Sequence, residues 1–487
     1  MKRKYLSNFT VELPSKLSTI LKKINQNESG LIFVVDKNFT LKGSISDGDI
    51  RRNILKKKKI KEIIFFKSSI VNKTPIFLKS NSKIETILQI LNRERKSKNI
   101  RCLPLVDSKK RVVDISTTKK IRRYPLASPI LGEQELNNAI NSIKSGWISS
   151  RGAYISKFEK NFEKYLKGGH AVAVSNGTVA LQVALSSLGI KKNDEVIVPN
   201  FTFGASINAI INVGAKPVIA DVSLKNWTLD IKDLEKKISN KTKAIMPVHI
   251  YGQPCQIDEI VKIAKKNKLL IVEDSAEAIG ATYKKRLIGL DGDCSCFSFF
   301  ANKTITTGEG GMAVFKKKNI AQKARILINQ GLSSKRKYYH DFVGSNYRLT
   351  NLQAGIGVAQ LDRIDELLKM RKKIFKMYDQ SLMQIKSIKL LPKNNWSTNS
   401  YWLYTLVVKN LGRLKRDKLI DNLQDLGIEC RPGFFCLSEM KPFKKFAYGK
   451  FPNSKFLSEN SISLPTTNIN STDQKFIIQK LIKEINK

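Results

Sequence analysis

The chain has 487 residues, 41% of them hydrophobic, and carries 87 Lys plus Arg against 41 Asp plus Glu, a net charge of +46. This composition excludes a disordered chain, and no apolar run approaches the ~18 residues that a membrane helix needs. The lysines are scattered among Ile and Asn without an arginine-rich helix or an aromatic-interleaved basic patch, so the charge reads as a solvated surface that attracts anionic ligands, not as a nucleic-acid interface.

Six cysteines do not form a disulfide framework in so long a chain, and Cys294 and Cys296 have the wrong spacing for a C-x-x-C motif. Three histidines, far apart in sequence, give no metal cluster. The opening "MKRKYLSNFTVELPSK" lacks the apolar stretch of a secretory signal, so a cytoplasmic location is expected. At ~150 residues per domain, the length predicts about three units.

The first unit carries an internal repeat. "LIFVVDKNFTLKGSISDGDIRRNIL" (31–55) and "CLPLVDSKKRVVDISTTKKIRR" (102–123) share an apolar strand, an Asp-led turn at Asp36 or Asp107, a second strand and a basic helix start. Helical patterns, "LSTILKKI" and "IETILQIL", precede the two copies. The arrangement resembles a cystathionine-β-synthase (CBS) domain pair over residues 1–125. That resemblance implies an adenine nucleotide in the cleft between copies, with Ser46 and Asp49 of "GSISDGD" as its contacts, or else a purely structural pair. In the second copy Asp114, Thr117 and Lys120 occupy the matching places, which implies an altered half-site.

"RRYPLASPILGEQEL" (122–136) reads as a junction. Beyond it, short apolar strands at 171–174, 195–199, 216–222, 244–250, 269–274 and 296–300 alternate with helical patterns such as 178–189 and 257–267. Alternation of this kind predicts an α/β fold with a mainly parallel sheet, whose ligand site lies beyond the carboxyl ends of the strands. The segment after about residue 370 predicts a smaller α+β unit.

Three predicted strand ends carry chemistry. "SNGT" (175–178) opens a helix, where free N–H groups suit a phosphate. Asp274 ends "LLIVED", and "FSFFANKTITTGEGG" (297–311) places Ser298 five residues before Lys303 in a small, polar loop. Singly, these are ordinary caps and a surface lysine. Together, a phosphate cradle, an acid able to hold a pyridinium proton and a lysine in a small, polar loop are what pyridoxal 5′-phosphate (PLP) requires.

These residues, with "GWISSRGAYISKFE", "DEVIVPNFTFGASINAI", "VHIYGQPC", "VEDSAEAIGATY", "YYHDFVGSNYRLTN" and "IECRPGFF", resemble the DegT/DnrJ/EryC1/StrS family of sugar aminotransferases over residues ~126–487. The resemblance implies a fold type I aminotransferase, with a large PLP-binding domain (126–370) and a small C-terminal domain (371–487). It implies Lys303 as covalent anchor and proton shuttle, Asp274 at the pyridine nitrogen, and Ser298, Gly177 and Thr178 at the phosphate. Phe203 would stack on the ring, and Glu277 would lie on its hydroxyl side. Asn346 would join the cofactor site and Arg348 the substrate site, both from a neighbouring subunit, which implies a homodimer. Arg431 would face substrate, although Cys436 follows Phe434 and Phe435 where relatives read Tyr-Pro. Lysine at position 303, where dehydratases of the family carry His, implies transamination. The expected partners are L-glutamate and a nucleotide-linked 4-keto-6-deoxy sugar, GDP-linked first and UDP- or dTDP-linked as alternatives. A PLP-fold sensor or nucleic-acid-binding regulator is the alternative of another class.

Overall fold

The computed structural model describes residues 6–27, 29–56, 65–66, 71–80, 82, 86–87, 89–91, 93–94, 100–117 and 124–486. Lys120 and the lysines at 57–59 lie outside the described residues. The chain forms two compact units, Met1–Arg123 with Gln424–Gly427, and Tyr124–Leu423 with Ile428–Lys487. Among the described residues, no helix is long and apolar enough to cross a membrane, and no group of three or more His, Cys, Asp or Glu could hold a metal ion.

In the first unit, Leu31–Val35 pairs antiparallel with Leu41–Ser46, and Cys102–Val106 with Val112–Thr117. The two turns match atom for atom. Asp36 Oδ1 accepts the N–H groups of Asn38 and Thr40, and Asp107 Oδ1 those of Lys109 and Arg111, all at 2.9 Å. Phe39 (φ 62°) and Lys110 (φ 55°) turn the chain in the left-handed region at equivalent places. The loops then exchange main-chain bonds: Leu41 N–H donates to the Lys110 carbonyl (2.9 Å), and Val112 N–H to the Phe39 carbonyl (2.8 Å). Phe33 and Val35 from one copy share a core with Cys102, Val106 and Ile115 from the other. The repeat is therefore a pseudo-twofold pair around one core. A cavity of about 380 Å³ opens in this unit, lined by Ser44, Ser46, Asp49, Asn72, Cys102 and others.

The second unit is built on seven strands. These are β1 (His170–Val174), β2 (Glu195–Pro199), β3 (Lys216–Ala220), β4 (Thr242–Ile245), β5 (Leu270–Asp274), β6 (Cys294–Ser298) and β7 (Gly311–Phe315). Their order is β3-β2-β4-β5-β6-β7-β1. Six strands run parallel and β7 runs against both neighbours. Both faces are covered: Val172 and Val174 pack into one apolar layer with Leu181 and Ala184, while Ala171 and Ala173 face the other with Phe297 and Met312. Burial on both sides is why the strands read as continuous apolar runs without alternation. The strand β7, "GMAVF", is absent from the sequence reading because its glycine-rich approach reads as loop. Its place makes the sheet mixed at one point while leaving it mainly parallel.

Four helices frame the site: α1 (Gly177–Ser187), α2 (Gly204–Asn212), α3 (Ile257–Asn267) and α4 (Ile364–Leu382). The buried seam of α4 reads Ile364, Leu367, Arg371, Ile374, Phe375, Tyr378 and Leu382, an amphipathic stripe interrupted by one arginine. After α4 the chain forms a separate antiparallel sheet from Ile388–Leu390, Tyr404–Val408, Ser461–Leu464 and Arg431–Pro432.

Candidate active site

The carboxyl ends of β1, β5 and β6 meet at one edge of the sheet, because these strands run parallel. Gly311, the first residue of β7, pairs with both Val174 and Ser298, so the phosphate turn and the lysine loop are drawn to either side of it. A Cβ at Gly311 would lie 2.5 Å from the Asn176 carbonyl oxygen, so only glycine admits that approach.

Asn176 caps α1 by accepting the Val179 N–H (2.9 Å), which leaves Gly177 and Thr178 leading the helix with N–H groups that have no helical acceptor. A Cβ on Gly177 would stand 2.8 Å from Ser298 Cβ and 3.1 Å from its Oγ. Gly177, Thr178 and Ser298 thus form a small cradle at a helix N-terminus, the chemistry that suits a phosphate.

Asp274 ends β5 buried. Its Oδ2 accepts the Ser206 hydroxyl (2.7 Å) and its Oδ1 the Ala276 N–H (3.2 Å). Burial pushes its carboxyl above the usual range, against the pull of Ser206, Ala276 and Lys303. Below it lies a second buried acid, Glu273, which accepts Ser295 Oγ (2.7 Å) and Gly292 N–H (2.8 Å) and faces His249 Nε2 at 3.1 Å. His249 Nδ1 accepts the Cys255 N–H (3.0 Å). An imidazolium would set its own N–H against that donor, so the ring is neutral with its proton on Nε2, donated to Glu273. Burial works against the Glu273 carboxylate, but the bonds from His249, Ser295 and Gly292 outweigh it and hold the group below its ordinary value. His249 N–H donates in turn to the Asp274 carbonyl (3.0 Å).

Lys303 lies in the loop between β6 and β7, which is closed by Phe299 N–H to the Gly310 carbonyl (2.8 Å) and Thr307 N–H to the Phe299 carbonyl (2.9 Å). Its Nζ is 4.0 Å from Glu277 Oε1 and 3.8 Å from the centroid of the Trp402 indole. Burial lowers the pKa of the amine, opposed by Glu277 and Asp274. Glu277 is pushed up to about 7 by burial, and Lys303 and the Tyr251 N–H, which its Oε2 accepts at 2.7 Å, resist that rise. Tyr251 stacks between Trp402 (6.2 Å, 16°) and Phe434 (5.2 Å, 6°), and Phe434 in turn meets the exposed Phe203 at 5.9 Å.

Lys303, Asp274 and Glu277 are therefore gathered around one buried space, and Gly177 meets Ser298 beside it. The side chains of the other three polar residues singled out in the sequence turn elsewhere, although the main chain at Arg348 bridges to Val174 and the Tyr347 carbonyl accepts the Ser175 N–H at 2.8 Å. Arg348 bonds Asn346 (2.9 Å) and Asn329 (2.5 Å), and neither Arg348 nor Asn346 bonds any of the gathered groups of its own chain. Arg431 is exposed and meets Glu429 at 3.4 Å. Sequence reasoning missed Ser206, His249, Glu273, Trp402 and Arg371. In the first unit, Ser46 and Asp49 do come together on the cavity wall: Ser46 N–H (2.9 Å) and Oγ (2.6 Å) donate to Asp49 Oδ2, and Arg52 to Oδ1 (2.7 Å).

The cradle, the buried carboxylate and the lysine amine match the donor set PLP needs. Gly177, Thr178 and Ser298 would hold its phosphate, Asp274 its ring nitrogen and Lys303 its aldehyde carbon. When bound, PLP supplies an electron sink for bond breaking at an amino-bearing carbon. Lys303 can take up or deliver a proton at Nζ, and the burial of Asp274 and Glu277 beside it limits competition from water.

The model of the DegT/DnrJ/EryC1/StrS aminotransferase family matches residues 129–482, and that of the CBS domain matches 67–127. GDP-perosamine synthase of Vibrio cholerae is 42% identical over 70% of this chain and 93% of its own, and that of Escherichia coli O157:H7 is 41% identical over 75% and 99%. Among solved structures, the PLP form of Spr1654 from Streptococcus pneumoniae superposes with a TM-score of 0.71 at 29% identity, covering 74% of this chain and 98% of that one. On these matches, the chain belongs to the DegT/DnrJ/EryC1/StrS aminotransferase family, as a PLP-dependent sugar aminotransferase that also carries a CBS domain.

Proposed function

We propose that the enzyme transfers the amino group of L-glutamate to carbon 4 of a nucleotide-linked 4-keto-6-deoxy sugar, and that the acceptor is GDP-4-keto-6-deoxy-D-mannose, yielding GDP-perosamine for surface polysaccharide in the cytoplasm. The observation that carries the reaction class is Lys303, its side chain 12% exposed and facing Glu277, on the same sheet edge as Asp274 and the Gly177–Ser298 cradle. The acceptor rests on the likeness to the two GDP-perosamine synthases. Residues 126–370 are assigned to the cofactor-binding domain and 371–487 to the small domain, with Asn346 and Arg348 serving the active site of a second copy.

A homodimer is supported by an exposed apolar stripe on the helix Glu133–Lys144, where Leu136, Ile140 and Ile143 follow helical spacing, continued by exposed Trp147 and Ile148. The pair of repeats in residues 1–125 is assigned an adenine nucleotide at Ser46 and Asp49.

The test is mass spectrometry of products after incubating the full chain with PLP, L-glutamate and, in parallel, GDP-, UDP- and dTDP-linked 4-keto-6-deoxy sugars. Amination of the GDP sugar alone is the expected result. Amination of another sugar overturns the acceptor and leaves the reaction class, whereas no amination of any overturns both.

A further inference from the structure

Arg371 is 2% exposed on the buried seam of α4 and faces no carboxylate within ion-pair distance among the described residues. Its Nη1 donates to the Trp402 carbonyl (2.8 Å) and its Nη2 to the Lys303 carbonyl (3.1 Å), while its Nε–H has no acceptor. Burial lowers its pKa to about 10. A buried cation without a counter-charge is costly, and an apolar side chain of similar volume is often as stable or more so at such a site. Packing alone does not account for a guanidinium here.

What distinguishes the position is the two carbonyls it joins. One belongs to the lysine loop, the other to the segment whose indole lies 3.8 Å from Lys303 Nζ. The Trp402 Nε1–H closes the circuit by donating to the Asn302 carbonyl at 3.0 Å. The chain at 302–303 and the chain at 402 are thus tied at three points, and Arg371 supplies two of them from a third element.

We propose that Arg371 is a positioning residue for the Lys303 reaction: by clasping the carbonyls of Lys303 and Trp402 it fixes the spacing between the lysine amine and the indole, and so the direction from which the amine meets PLP. The inference rests on the reading of Lys303 as the PLP anchor. Removing the clasp frees the loop to shift, and displacements of ~1 Å cost about a hundredfold in rate at a reacting centre.

The experiment uses the full chain with PLP, comparing wild type with Arg371→Met and Arg371→Lys. Five quantities are read: cofactor fixed on Lys303 by borohydride and mass spectrometry, the pH midpoint of the visible absorbance of bound PLP, kcat and KM for the half-reaction with L-glutamate, and the thermal midpoint. Arg371→Met is expected to keep its thermal midpoint and still capture PLP. Its absorbance midpoint should move by about half a unit or more, and kcat should fall ~10- to 100-fold with KM little changed. Arg371→Lys, which can satisfy one carbonyl, should fall between. Should Arg371→Met fail to fold, Arg371→Lys decides. A folded variant with the wild-type absorbance midpoint and kcat overturns the inference alone. Failure of wild type to fix PLP on Lys303 overturns the reading of the lysine, and the inference with it.

Discussion

The Lys303 amine lies 3.8 Å from the centroid of the Trp402 indole, close enough for a cation–π contact with a buried partner. Such a contact favours the ammonium form by ~0.5–2 kcal/mol. Replacing Trp402 with Leu should therefore lower the pKa of Lys303 by up to ~1.5 units. The measurement is the rate at which cofactor-free protein captures PLP as a function of pH, since only the neutral amine reacts. The rising limb should shift to lower pH in the variant, and an unmoved limb would mean that the indole does not sense the charge.

Lys303→Ala removes the nucleophile and the proton carrier together. Turnover should drop at least ~10²- to 10⁴-fold, and borohydride should fix no cofactor at position 303. Sustained turnover under saturating substrates would remove Lys303 from the chemistry.

Gly177→Ala would force a methyl group to 2.8 Å from Ser298 Cβ. Overpacking of this kind costs ~1–3 kcal/mol, so the Kd for PLP, followed by absorbance titration, should weaken about 5- to 100-fold. A wild-type Kd would place the phosphate elsewhere.

The Glu277 carboxyl, raised to about 7 by burial, imposes a sign on the stability of the cofactor-free protein. Between the ordinary value of ~4.3 and 7, the folded chain holds a proton that the unfolded chain has lost, so this group makes stability fall as pH rises through that window, by up to about 4 kcal/mol. Urea midpoints across that range should slope downward relative to Glu277→Gln, which has nothing to titrate there. Parallel profiles for the two proteins would refute the assignment.

Breaking the pair beneath Asp274 should cost more than the pair is worth. His249→Leu leaves the buried Glu273 carboxylate short of one donor, at ~1–3 kcal/mol or more, while a double replacement of His249 and Glu273 by Leu should recover part of that loss. Denaturant unfolding of the three proteins checks it. Equal losses in the single and double variants would show the two residues to be independent.

The candidate site residues Asp274, Ser298 and Lys303 were legible because each sits at or just past the place where a buried strand stops, which sequence marks by an abrupt change from apolar to polar. Asp274 and Ser298 end β5 and β6, and Lys303 follows within one short loop. The supporting residues carry no such mark. Arg371 stands in "KMRKKIFKMY", indistinguishable from its exposed basic neighbours until the helix is seen to turn it inward. His249 and Glu273 are separated by α3, and only the parallel pairing of β4 with β5 brings their segments together. Pro247 and Val248, read as strand, lie past the end of β4 at Ile245. The N-terminal repeat was readable from its two aspartates, because a turn that must cap two N–H groups and admit a left-handed residue leaves few choices of sequence.

The reversed strand β7 also bears on the order in which the site can form. Its antiparallel pairing with β6 makes the lysine loop a hairpin, closed between neighbours in the chain at small entropic cost. The same strand meets β1 and the phosphate turn that follows it, a pairing between segments far apart in sequence. Contacts of that kind are slow to form. During refolding, Lys303 should thus reach its local conformation before the cradle exists, so that tight retention of PLP reports completion of the whole sheet.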